Sequence, residues 1–384
     1  MKKNWWIPAA LLSAVSFSSA FAQDDMDSRI AELERQMEQV RVVTPNGTCG
    51  ANTALARPVL DEECGCCGSN FFVELSAIYW HPKVGGTEFA YTDQDPTGTF
   101  PIKGDVKDMD FSWEWGLKAG IGYNFVHDGW DVFLHYTWLD GHGSESTSAG
   151  LNDTVIPLRA AASITQPQGT FIFCQTAKSQ FDFAFNALDL ELGRHFFVSE
   201  YLSLRPFAGL KAAWIDLEQK TRYFGGDPNN TLLGLGVNTV HVKDTSDFWG
   251  IGPRIGIGTK WHLCKGFSIF GDFSGALVYG SFDVDHKERY SALADVNRIK
   301  LSDKNHAFSP TFQYQIGIGY DTYVNCDRNH ISIRLSFDSQ YWWRANQMLK
   351  VDDVISNDNA AVRYERISED VSLHGVTLDL RVDF

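Results

Sequence analysis

The strongest constraint on this chain is a two-residue period that runs for longer than a soluble sheet requires. In WEWGLKAGIGYNF, residues 113–125, Trp113, Trp115, Leu117, Ala119, Ile121, Tyr123 and Phe125 fall on one face. Glu114, Gly116, Lys118, Gly120, Gly122 and Asn124 fall on the other. A half-buried strand of a soluble protein alternates in the same way, but it is usually about 5–6 residues long. A longer run with aromatics at both ends suits a tilted strand crossing a bilayer, with the aromatics at the two interfaces.

Comparable segments recur at 71–80, 130–138, 186–194, 202–214, 248–262, 267–280, 311–324, 330–343 and 371–384. The connections between them run 81–112, 126–129, 139–185, 195–201, 215–247, 263–266, 281–310, 325–329 and 344–370, long and short in strict alternation. Outer-membrane barrels segregate long extracellular loops from short periplasmic turns in this way. The pattern predicts an all-β fold, a transmembrane antiparallel up-and-down barrel of about 10 strands with 8–16 open. Pro206 and Pro253 fall inside strands and mark a bulge or a break in the ladder. The final strand ends on Phe384, an aromatic terminal strand signal.

The segments before the barrel read differently. Met1-Lys2-Lys3, the apolar run Ile7–Phe17 and Ala20-Phe21-Ala22 form the three parts of a secretory signal peptide, assigned to residues 1–22. Its removal takes Lys2 and Lys3 with it, so the net charge falls from −15 to −17. In residues 23–43, Met26, Ile30, Leu33, Met37 and Val40 hold a/d spacing, which predicts a short periplasmic amphipathic or coiled-coil helix that favours a homo-oligomer. Residues 44–70 form a turn-rich, cysteine-rich periplasmic linker, and 71–384 the barrel. No run of about 18 apolar residues follows the signal peptide.

Acidity excludes nucleic acid as a partner, because phosphate binding needs a basic footprint. Outer-membrane lipid and lipopolysaccharide are the expected surroundings, with host surfaces in reach of the long loops. The chain has no GxxxxGK[ST], HExxH or GxSxG motif, so no cofactor and no metal is expected. Of the seven cysteines, Cys49, Cys64, Cys66, Cys67, Cys264 and Cys326 fall on the periplasmic side and are disulfide candidates in an oxidising compartment. Cys174 falls in a surface loop, too far from the others to bridge.

NALDLELGR at 186–194, LRPFAGLKAAWID at 204–216, FWGIGPRIGIGTKWHL at 248–263 and the closing VTLDLRVDF resemble the Legionella-type major outer membrane protein family, which has members in chlamydia-related bacteria. The resemblance covers about Phe71 to Phe384. It implies an abundant outer-membrane protein that is porin-like, exposed to the host and often cross-linked by disulfides.

Alternation assigns the inward face. Its acids are Glu74, Glu114, Asp131, Asp189, Glu191, Asp272, Asp321, Asp338, Asp379 and Asp383, and its bases Lys118, Arg205, Lys211, Arg254, Lys260, Arg334 and Arg381. Two readings stay open. As a porin, these groups polarise a water-filled lumen through which ions and small hydrophilic solutes diffuse. As a structural or adhesin protein, the same groups pair and close it, since about 8–10 strands enclose little more than side chains. A third class, an outer-membrane protease, would draw on His81, Asp93, Asp95, His142 and His286, read here as loop residues at the rim. The expected reading is porin rather than enzyme.

Overall fold

Strands whose outward residues meet lipid and whose inward residues meet each other have no use for an edge, and the sheet closes on itself. The computed structural model describes residues 70–93, 103–125, 129–150, 153–160, 174–199, 201–225, 239–290, 296–324, 329–355 and 361–384. The signal peptide, the 23–43 segment, nearly all of the linker, Cys49, Cys64, Cys66, Cys67, Cys326 and Asp95 lie outside the described residues. No described helix is long and apolar enough to cross a membrane, which says nothing of strands.

The barrel strands are β1 (Phe71–Val84), β2 (Glu114–Asn124), β3 (Trp130–Ser148), β4 (Thr176–Arg194), β5 (Leu202–Phe224), β6 (Thr239–His262), β7 (Phe267–Tyr290), β8 (Val296–Val324), β9 (Asn329–Asn346) and β10 (Glu369–Asp383). Each pairs antiparallel with its neighbours in sequence, and β10 pairs with β1 to close the ring. The fold is the expected ten-stranded barrel.

Its height was not expected. The strands β3 to β8 run 19 to 29 residues, where about 9–11 suffice to cross. The predicted ends at 138, 186, 214, 248, 280 and 311 sit where the outward face turns polar, at residues such as Asp182, Asp216, Asp247 and Asp283. The ladder continues past them because the inward face stays apolar, with Phe181, Phe183, Leu217, Val242, Phe282 and Val284 all buried. Loop length is corrected accordingly: the connection read as 281–310 shrinks to 291–295, as short as the turns at the opposite end.

The prolines act through their missing N–H. Pairing of β4 with β5 stops at Gly193↔Phe207, one residue short of Pro206. Pairing of β6 with β7 skips Gly252 and Pro253 and resumes at Arg254↔Ala276 in the same register. The turn from β6 to β7 places Lys265 at φ 53° and Gly266 at φ 84°, the doubly positive geometry that matches strand twist.

Exposed Phe71, Phe125, Trp130, Trp261, Phe267, Tyr320 and Phe384 girdle the end that carries the chain's last residue and the short turns. Exposed Trp115, Trp138, Trp249 and Tyr279 girdle the other level, with Trp214 directly opposite Trp249. Between the girdles lies the apolar band that such barrels present to lipid. Beyond the second girdle, three short strands, Ala90–Asp93, Val106–Lys107 and Thr154–Pro157, form a small sheet. A hairpin, Leu349–Ile355 with Ala361–Arg366, stands separately.

Candidate functional site

The lumen is the candidate site, and its two halves differ in chemistry. In the half nearest the short turns, inward cations and carboxylates alternate around the wall. Lys211 Nζ donates to both oxygens of Asp189 at 3.0 Å. Arg254 Nη1 lies 2.8 Å from Asp189 and 3.1 Å from Glu191. Arg205 binds Asp131 through Nε at 3.0 Å and Glu191 through Nη1 at 2.9 Å. Lys118 on β2 reaches Asp338 on β9, with two strands between them in the ring. Lys260 meets Asp321 at 2.7 Å, Arg334 meets Glu74 at 2.8 Å, and Arg381 meets Asp383 at 2.7 Å. Glu114 stands apart, higher on β2, where it accepts from Ser112 Oγ at 2.7 Å.

Aromatic faces complete this layer. Lys118 Nζ sits 4.6 Å from the Trp80 ring centre and Lys211 Nζ 5.5 Å from that of Trp342. Arg205 and Arg254 share Phe207, at 5.3 and 5.4 Å. Desolvated cations gain from such contacts. These central groups are closely packed, with Asp338 0% exposed, Asp189 1%, Lys211 2% and Arg254 5%, whereas the side chains of Arg205, Lys260, Arg334 and Arg381 stay 20–30% exposed.

Inward histidines were overlooked in the sequence. His135 lies 3.2 Å from Asp189, His195 3.4 Å from Asp131, and His330 3.2 Å from Asp321. For His135, continuing the parity of Asp131 along β3 would have found it.

The half nearest the long loops is apolar. Trp80, Phe181, Phe183, Phe185, Ile215, Phe248, Phe282 and Trp342 are fully or almost fully buried. They belong to one cluster with Phe89, Met109, Phe111, Val155 and Met348 from the connecting segments. These described segments of the connections therefore pack inward at the barrel mouth as a cap.

One charged network lies inside this cap, beyond the girdle and outside the membrane span. Arg159, wholly buried, donates from Nε to Glu88 O at 2.9 Å and from Nη2 to Gly86 O, and its Nη1 lies 3.7 Å from Asp244. Its backbone N–H bonds Tyr223 Oη, which donates to Phe89 O at 2.6 Å. Asp244 in turn holds His286 Nδ1 at 2.5 Å, and Glu288 holds Nε2 at 2.8 Å. Burial alone would lower the His286 pKa, but the two carboxylates outweigh it and hold it up at about 9. Tyr364 from the hairpin packs against the imidazole in a tilted contact, ring centres 5.0 Å apart, and donates to Glu288 at 3.3 Å.

The reading of His81, Asp93, His142 and His286 as loop residues at the rim is corrected, since all four lie on strands. His81 packs on His374 at 5.3 Å and on Trp113 at 5.6 Å. His142 lies 3.1 Å from Asp182 on the outer wall, while His286 is buried in the cap. They do not converge. Cys174 is a free thiol, buried rather than in an open loop, with Sγ 3.3 Å from Val155 O. Burial pushes its pKa up to about 12. Cys264 is a free thiol exposed in the β6–β7 turn. Among the described residues, no group of three or more metal-ligating side chains gathers.

A family model described as the Legionella pneumophila major outer membrane protein precursor matches residues 64–384. Among solved structures, the chain is similar to the outer membrane protease OmpT from Escherichia coli, with 12% identity, a TM-score of 0.43, and 83% of this chain and 97% of that one covered. It is also similar to the Pseudomonas putida toluene transporter TodX (9% identity, TM-score 0.26, 82% and 90% covered) and to a Pseudomonas aeruginosa FadL homologue (10%, 0.23, 82% and 90%). No curated protein matches the sequence.

Proposed function

Because the chain belongs to the family of the Legionella pneumophila major outer membrane protein precursor, we propose that it serves in the outer membrane as a structural surface barrel with a shut lumen. The observation that carries this reading is the near-complete burial of the central inward charges, with Asp338, Asp189 and Lys211 at 0–2% exposed. A paired, desolvated charge does not serve a passing ion, because the ion must first displace its partner. The apolar cap above supports the same conclusion. Ten strands also lie well below the roughly 16 that leave an aqueous channel. The long loops face outward, as in other outer-membrane barrels, and present the surface available to host contacts.

Porin-like diffusion is the second reading. One observation favours it: the short-turn half is lined by ionisable groups rather than by the apolar side chains of the other half. Liposome swelling in a small neutral sugar separates the two. A shut barrel leaves the swelling rate at that of protein-free liposomes, and a porin raises it in proportion to protein.

A further inference from the structure

The outer wall above the second girdle is banded by charge. Reading across strands by register, Trp214 stands opposite Trp249. Two residues higher, Asp216, Asp247 and Asp283 stand opposite one another on β5, β6 and β7. Two residues higher again come Asp182, Glu218 and Asp285. Then the sign reverses. Lys220, Lys243, Lys287 and Lys300 form one row across β5 to β8. Lys178, Arg222, His241 and Arg289 form the next across β4 to β7.

Like charges placed directly opposite on neighbouring strands destabilise a sheet, so cross-strand pairing does not account for lysines gathered in one row. Some lysines lean down to the acids beneath: Lys243 to Glu218 at 2.8 Å, Lys287 to Asp285 at 3.1 Å, Lys220 to Asp182 at 3.2 Å. Exposed pairs of this kind contribute little, and they do not require the bases to share one level. On the opposite side, from β9 through β2, the barrel strands end lower, near Asn346, Glu369, Val84 and Glu114.

Height selects the occupant. A strand rises about 3.4 Å per residue and tilts by about 40°, so each residue lifts the wall by about 2.6 Å. The lysine row, six residues above Trp249, stands about 16 Å above the girdle. A phospholipid headgroup reaches only about 5–8 Å beyond the hydrocarbon, which is the level of the acids. Only an anionic lipid whose charges extend upward on a sugar core meets the bases.

We propose that the β4–β8 outer wall is a docking surface for the phosphorylated sugar core of outer-leaflet lipopolysaccharide, held by Lys220, Lys243, Lys287 and Lys300 and by the basic row above them. The proposal rests on the outward orientation of the long loops given above.

The test uses the full-length chain folded in detergent, with three probes: lipopolysaccharide with a complete phosphorylated core, the same lipid cut back to lipid A, and phosphatidylglycerol vesicles. The wild type should bind the complete lipid about tenfold or more tightly than either other probe, and salt should weaken the preference, because each surface lysine adds several-fold to affinity for an anionic lipid. K220Q/K243Q/K287Q/K300Q should lose that preference, while K83Q on the opposite wall retains it. Should the fourfold variant fail to fold, as seen by loss of its heat-modifiable band, K287Q/K300Q should lose part of the preference. Equal binding of lipid A and complete lipid by the wild type overturns the proposal, as does an undiminished preference in the lysine variants. Swelling assays on the same variants keep the readings separate: a conducting barrel that still prefers the complete core overturns the shut lumen alone.

Discussion

On the proposed reading, the two halves of the lumen reach the same closed state by different physics. Near the short turns, Asp189, Glu191, Lys211 and Arg254 fill the space as mutually neutralising charges under aromatic faces. Near the long loops, Phe183, Phe185, Phe248 and Trp342 fill it as a soluble protein fills its core. A packed apolar core tolerates loss of volume poorly. A buried ion pair tolerates loss of one partner poorly, but loss of both well. The halves should therefore answer differently to the same kind of mutation.

The largest effects come from breaking either half outright. Phe185→Ala in the apolar half should lower stability by about 3–5 kcal/mol, through lost burial plus a residual cavity. Asp189→Ala in the charged half should cost about 3–5 kcal/mol, because Lys211 and Arg254 lose their shared partner. The folded-to-unfolded band shift on heating reads both. The comparison sharpens with Asp189→Leu/Lys211→Met, which should be clearly more stable than Asp189→Ala. If the double variant is as unstable as the single one, the charged half is not held by pairing.

Arg159→Met removes the cation that ties the cap to Asp244 while keeping most of its volume. It should loosen the cap without unfolding the wall, read as faster proteolysis at the long-loop end. A smaller effect is expected from pH. The folded-state pKa of His286 lies at about 9, above its ordinary value of 6.5. Its contribution is fully present below pH 6.5 and is lost as pH rises through 9. Moving from pH 7 to 10 should therefore cost up to about 3 kcal/mol, and His286→Gln should flatten that dependence. The smallest effect belongs to an exposed pair: Lys304→Gln, opposite Asp283, should change stability by about 0–1 kcal/mol.

Alternation made the membrane-crossing part of the wall legible. Lys118, Asp189 and Arg254 could be assigned inward because adjacent residues such as Leu117, Leu190 and Ile255 face lipid in the opposite parity. The upper wall was not legible by that route. At Asp216 and Asp247 the outward face stops being apolar, so a rule keyed to lipid contact ends the strand there, although Leu217 and Phe248 keep the inward parity. Arg159 carried no signal at all, since its burial depends on the loop around 153–160 folding beneath Tyr223. The pairing of Lys118 with Asp338 joins residues far apart in the chain, and no local pattern encodes it.

The central claim, that the lumen is shut by both halves, is tested most directly by the current through single barrels in a planar bilayer. The purified chain should give no steady conductance steps at neutral pH. A variant that combines Asp189→Asn, Glu191→Gln, Lys211→Gln and Arg254→Gln should stay silent too, because the apolar cap still closes the other half. Regular steps from the wild-type chain, with a reversal potential that shifts in a salt gradient, would contradict the account.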